Sequence, residues 1–313
     1  MTKQNIVTVP EGLISQLNIN GLNGRLLKVP AKKSKFTKQN ILVIYGHHSS
    51  LERMYGIVDN ISEYGNVLMP DLPGFGGMDS FDIIGKKPTI DHFADYLATF
   101  IKLHYRNKKL SIVGMSFGFV VVTRMLQKYP ELSSKIILLV SLVGFSNSND
   151  FKFSHRTKSS FRFASLLCGT KITAPIVRYV FLNGPAIRFG YWSVSKIHPK
   201  MKGADLKELR KRTKFEVHLW HCNDVRTHML TTAEMMKLDL TKTKVNHNLL
   251  HITVGVDQYF NNTSVKNNLK KIYTKVEVMK AGLGNHAPTV IGDAESAKSF
   301  IPKELRKRLS NIA

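Results

Sequence analysis

The chain is poor in acidic residues. Its 313 residues carry 22 Asp and Glu against 46 Lys and Arg, a formal net charge of +24. A surplus of that size concerns partners or habitat rather than fold, and it leaves nucleic acid, an anionic membrane surface or a generally basic proteome as readings. Cysteine is also scarce. Cys168 and Cys222 cannot build a disulfide framework, which excludes the stapled scaffolds of small secreted proteins and makes a reducing compartment the default. No apolar run approaches the ~18 residues of a spanning helix, so none is expected. The polar start Met1-Thr2-Lys3-Gln4-Asn5 lacks the apolar stretch of a secretory signal. These absences together predict a cytoplasmic protein. Repeats and low-complexity segments are missing too, while 43% hydrophobic and 9% aromatic content is ample for a large core. The length suits one α/β domain with an insertion, or two small domains.

Short apolar runs recur along the chain. Ile6–Val9 and Arg25–Val29 read as strands, with Asn20-Gly21 and Asn23-Gly24 between them as turn signals, so a hairpin is expected. Ile41–Tyr45, Asn66–Met69, Leu110–Val113, Lys135–Leu142, Leu249–Val254 and Lys275–Met279 are of strand length and mostly continuous in apolar character, which suits buried parallel strands. Helical spacing separates several of them: Ile90, Phe93, Leu97, Phe100 and Ile101 after Thr89, then Phe119–Tyr129 up to Pro130, then Val265, Leu269 and Ile272. Strands alternating with helices predict an α/β fold, a mostly parallel, doubly wound sheet covered on both faces. Ligands of such sheets bind at the carboxyl ends of the strands. His47, Asp71, Ser116, Asp257 and His286 all fall just past predicted strand ends.

The organising stretch is Gly114-Met115-Ser116-Phe117-Gly118, between a predicted strand and a predicted helix. A hydroxyl on such a corner projects from the sheet and cannot relax into it. The flanking glycines remove side chains where the backbone doubles back. The helix N-terminus behind it aims N–H groups at developing negative charge. An incidental Gly-x-Ser-x-Gly loop lacks this strand-and-helix context. Ser116 is therefore the candidate nucleophile.

With Tyr45-Gly46-His47, Asp71-Leu72-Pro73-Gly74-Phe75-Gly76, Gly255-Val256-Asp257 and Asn285-His286-Ala287-Pro288 added, the chain resembles the α/β-hydrolase superfamily, specifically its esterase- and lipase-like serine hydrolases with a helical cap. The resemblance covers roughly residues 5–145 and 246–300. It leaves the interval between without a match; residues 144–248 break the strand–helix alternation, are too long for one crossover, and read as a mainly helical cap inserted into a core of residues 1–143 and 249–313. The resemblance implies a Ser116–His286–Asp257 triad: His286 as the base that activates the serine, and Asp257 as the carboxylate that orients the imidazole. Asp150 and Asp224 are rival acids. The backbone N–H groups of Phe117 and His47 would bind the oxyanion. Tyr45-Gly46 departs from the family's usual His-Gly, which concerns the conformation of that loop. Relatives that open epoxides or carbon–halogen bonds use an aspartate nucleophile, so a serine points to acyl transfer to water. The expected activity is carboxylic ester hydrolysis, with peptidase-like and carbon–carbon bond hydrolases on the same scaffold as alternatives. No cofactor and no metal is implied. The adjacent His47 and His48 make a poor metal pair.

The predicted cap carries much of the charge. Residues 151–216 hold 15 Lys and Arg against three acidic residues, together with Phe151, Phe153, Phe161, Phe163 and Trp192. One reading is an interface, cations on anionic headgroups and rings in the acyl boundary, over a small-molecule acyl substrate. The other makes the aromatics the cap's own core and the charges its solvated face. A polyanion-binding protein without catalysis is the alternative of another class. No zinc spacing, stacking platform or basic heptad helix speaks for specific nucleic-acid binding.

Overall fold

The computed structural model describes residues 9–193, 205–282 and 297–312. Its frame is an eight-stranded sheet, ordered β1-β2-β4-β3-β5-β6-β7-β8. The strands are β1 (Ile14–Ile19), β2 (Leu22–Val29), β3 (Asn40–Ile44), β4 (Asn66–Pro70), β5 (Leu110–Met115), β6 (Ile136–Leu142), β7 (Val245–Thr253) and β8 (Tyr273–Lys280). β3 to β8 run parallel; β1 pairs antiparallel with β2, and β2 antiparallel with β4. All six residues of β5 are buried, as a continuous apolar run at the centre of a covered sheet requires.

The predicted hairpin forms, but one strand and one turn differ from expectation. Its first strand is Ile14–Ile19, while Val9 precedes it as coil and most of the predicted Ile6–Val9 run lies outside the described residues. The turn is Asn20-Gly21, with φ of 53° and 81°, as a two-residue primed turn demands. Asn23-Gly24 is not a turn: both residues lie inside β2, where Asn23 pairs with Asn18.

The crossover helices are α1 (Leu51–Ile61), α2 (Ile90–His104) and α3 (Phe117–Lys128). The β3-to-β4 connection runs one way along the sheet and the β4-to-β5 connection the other. Right-handed crossovers therefore place α1 on the face opposite α2 and α3. Thr89 caps α2, its hydroxyl accepting the His92 N–H at 3.3 Å. One continuous core spans both faces.

After β6 the chain leaves the sheet. It forms α4 (His155–Cys168), the single turn α5 (Thr173–Ile176), a wider turn at Val177–Phe181, α6 (Gly184–Ser193), α7 (Leu206–Cys222) and α8 (Val225–Met235). α4 packs on α8 and α6 on α7. The strand after this excursion begins at Val245, so residues 245–248, predicted as the end of the insertion, belong to the sheet. α9 (Asn262–Ile272) and α10 (Lys303–Ser310) complete the described helices.

Candidate active site

Ser116 stands between β5 and α3 with φ 48° and ψ −117°, a conformation that a non-glycine residue adopts only where its surroundings enforce it. The enforcement is visible. The Ser116 N–H is bonded to Leu142 O on β6 (3.0 Å), and Ser116 O accepts the Phe119 N–H (3.0 Å), the first bond of α3. Gly118 sits against the end of β3; a Cβ there would lie 2.4 Å from both the Ile44 and Tyr45 carbonyl oxygens. Only a residue without a side chain lets α3 approach β3 so closely.

The loop after β3 passes beside the nucleophile. A Cβ on Gly46 would lie 3.2 Å from Ser116 Cβ and 3.8 Å from its Oγ. The backbone entering His47 and the first turn of α3, where Phe117 N–H has no carbonyl within its own helix, thus flank the serine. The His47 ring reaches up to α8. Its Nε2–H donates to Thr231 Oγ1 (2.8 Å), because the Thr231 hydroxyl is itself committed to Thr227 O (2.7 Å). The ring also meets the edges or faces of Phe75, Phe117 and His228, the last at 4.3 Å between centroids.

Tyr45, in the loop after β3, is fully buried and ties two loops together. Its hydroxyl donates to Asp71 Oδ1 (2.9 Å) and accepts the Leu72 N–H (2.8 Å). Asp71 is bonded to Arg25 Nε (2.9 Å), and the Arg25 guanidinium also pairs with Glu52. One cation facing two carboxylates compensates both incompletely. Burial and the Glu52 charge push the Asp71 carboxyl up to about 7 against the pull of Arg25. Glu52 moves the other way, held down by its bonds to Arg25 despite burial. Asp71 is therefore a structural residue that shapes the Asp71–Gly77 loop.

Asp257 lies four residues past the end of β7, is buried, and accepts the N–H groups of Tyr259 (2.8 Å) and Phe260 (3.0 Å) at Oδ1. These two bonds fix the plane of the carboxylate. One strand, β6, separates β5 from β7, and Val143 N–H bonds Ile252 O at 2.8 Å, so the strand ends that bear Ser116 and Asp257 are level. The rival acids are otherwise engaged. Asp150 accepts four hydrogen bonds, from Ser146 N, Asn147 N, Ser264 Oγ and Asn268 Nδ2, at 2.7–3.0 Å. Asp224 caps α8 through Thr227 N at 2.6 Å. His286 lies outside the described residues. His251, another histidine near Asp257, is a core residue. Its Nδ1 shares a hydrogen bond with Ser141 Oγ (2.9 Å), and burial lowers it to about 4.

Beneath the cap the structure gathers His48 with groups to which the sequence reading gave no role, Trp220, His228, Glu216 and Arg53. The His48 ring lies tilted against Trp220 (4.3 Å between centroids) and edge-on to His228 (5.0 Å), with Nε2 3.5 Å from the buried Glu216 carboxylate. Tyr191 donates to Glu216 (2.9 Å), and burial together with that carboxylate drives its hydroxyl pKa upward. Arg53, also buried, donates to His48 O at 3.0 Å. The legible signal was Glu216 itself, a charge beside Phe215 and Leu219 on the apolar stripe of α7. Among the described residues no group of three or more His, Cys, Asp or Glu side chains is arranged to hold a metal ion.

A family model described as alpha/beta hydrolase fold matches residues 39–166. Solved structures agree over nearly the whole chain. An esterase from Thermogutta terrifontis is 13% identical with a TM-score of 0.60, covering 95% of this chain and 98% of that one. A bromoperoxidase from Bacillus anthracis is 15% identical with a TM-score of 0.63, covering 95% and 99%. A bacterial membrane phospholipase A is 13% identical with a TM-score of 0.62, covering 95% and 86%. No curated protein matches the sequence. The chain has the α/β-hydrolase fold, as its sequence motifs implied.

Proposed function

We propose that the protein is a serine hydrolase cleaving an ester-type bond through an acyl-enzyme. Ser116 Oγ attacks the carbonyl carbon while His286 takes its proton, and the His47 and Phe117 N–H groups receive the oxyanion. The tetrahedral intermediate collapses, the carbon–oxygen bond to the alcohol breaks, and the imidazolium returns the proton to the departing alcohol. Water then repeats the sequence on the acyl-serine, regenerating the enzyme. Asp257 orients the imidazole and stabilises the imidazolium. The observation that carries this reading is the Ser116 backbone, held at positive φ between a central strand and a helix N-terminus.

The test is hydrolysis of short p-nitrophenyl esters, with labelling by a fluorophosphonate probe mapped by mass spectrometry. Ser116→Ala is expected to lose both the label and about 10⁴-fold or more of the rate, with the fold intact. Full activity in that variant overturns the proposal. Asp257→Asn should be severely impaired, whereas Asp150→Asn should lose stability and keep its catalytic rate. The reverse pattern reassigns the acid.

A further inference from the structure

The cap's outer surface is built the wrong way round for water. Among the described residues, twelve of the sixteen exposed large hydrophobic side chains lie between Phe161 and Leu206. α4 shows the inversion. Of its 14 residues only Lys158 and Ser165 are buried, while Phe163 and Leu167 are 71% and 56% exposed. The exposure continues through Ile172, Tyr179 and Phe181, and on α6 through Phe189 and Trp192, whose ring centroids are 6.3 Å apart. The reading that makes the aromatics the cap's own core is corrected for Phe161, Phe163, Phe181, Phe189 and Trp192, while Phe151 packs half-buried against Phe145 and Phe260. A run of this size is not ordinary surface and marks a place of contact.

Cations are interleaved with it. Arg156, Arg162, Lys171, Arg188 and Lys211 are exposed on the same helices and turns. The acidic residues of that stretch offset them little: Glu216 is buried and Glu208 is paired with Arg212 at 2.9 Å. A groove of about 340 Å³ between α6 and α7 repeats the pattern in miniature, with Trp192 and Leu209 in its lining and Arg188, Arg210 and Lys214 around them.

We infer that this face docks the protein on an anionic lipid membrane. Rings and aliphatic side chains enter the acyl boundary, while Arg and Lys stems lie along it with their charges among the headgroups. Attachment is peripheral, since no described helix is long and apolar enough to cross a bilayer. The charge selects this occupant. A second copy would press two strongly basic faces together. Nucleic acid would satisfy the cations but leave Leu167, Ile172 and Val180 against phosphate and water.

Flotation of the full chain with vesicles tests it, using phosphatidylcholine alone or mixed with phosphatidylglycerol. The expected result is at least about tenfold stronger binding to the anionic vesicles, weakening with salt. Phe163→Ser/Phe189→Ser/Trp192→Ser should lose retention at moderate salt with an unchanged unfolding midpoint, because those side chains are exposed. Arg188→Glu/Lys214→Glu should lose about tenfold and flatten the salt dependence. Equal binding to both vesicle types, no binding at low salt, or a solution dimer broken by the triple variant would each overturn the inference. So would RNA binding that strips the protein from vesicles and survives the triple variant. The readout is binding, and Ser116→Ala should float as the wild type does, so this result and the catalytic one are independent.

Discussion

Tyr45 donates one hydrogen bond and accepts another inside a fully buried junction, so its hydroxyl cannot be removed without orphaning both partners. Tyr45→Phe leaves the Leu72 N–H and Asp71 Oδ1 each without that partner. A loss of about 1–3 kcal/mol is expected, read from the urea midpoint, with the larger value if no water replaces the oxygen. The same residue shows what a sequence can reveal at this scale. Its place in the loop after β3 is plain in one line of sequence, but its partner lies 26 residues away. The positions of Ser116 and Asp257 just past the ends of β5 and β7 were legible because strand, turn and helix signals lie within a few residues of each. Thr231, which anchors the His47 ring across a separation of 184 residues, was not. Neither were Arg53 and His228, which meet the others only when the cap closes over the core.

Elements were read from period, and period failed where it was short or reversed. Every parallel strand was found, because a continuous apolar run of that length has one comfortable home. α1 was passed over although Leu51, Met54, Ile57, Val58 and Ile61 keep helical spacing and are all buried. The hairpin was assigned to the wrong first strand because Ile14–Ile19 alternates weakly, whereas Asn20-Gly21 supplied the turn chemistry unaided. α4 misled in the opposite sense, its apolar residues lying outside. The joint between α7 and α8 makes a prediction at this scale. Asn223 Oδ1 accepts the Gly76 N–H at 2.7 Å, beside two main-chain bonds, Gly77 N–H to Cys222 O and Asp224 N–H to Gly74 O, each 2.8 Å. Asn223→Ala should weaken the joint by about 1 kcal/mol. Hydrogen exchange should quicken at Gly76 and in α7 and α8, and stay unchanged in β5 and β6.

For the molecule as a whole, two buried groups oppose each other in acid. His251 is neutral in the folded state down to about pH 4, against an unfolded value of 6.5. Between those values the unfolded chain binds more protons, so its contribution is complete above 6.5 and is lost as pH falls, by about 3 kcal/mol in all. Asp71 has the opposite sign. Its folded value of about 7 exceeds the ordinary 3.8, so its contribution is complete below 3.8 and is lost as pH rises towards 7. The two slopes offset each other, and wild-type stability should be nearly flat from pH 4 to 7 as far as these groups decide it. His251→Gln should unmask a decline with rising pH, and Asp71→Asn an increase, both measurable by urea titration at stepped pH. The joint between cap and core has a consequence of another kind. Two of its three bonds run between peptide groups, which every substitution other than proline preserves. Mutations can therefore accumulate over the cap while its seat on the Asp71–Gly77 loop persists. The surface of the cap is free to diverge, while the sheet-edge loops beneath it, fixed by buried side-chain bonds such as that of Tyr45 to Asp71, are not.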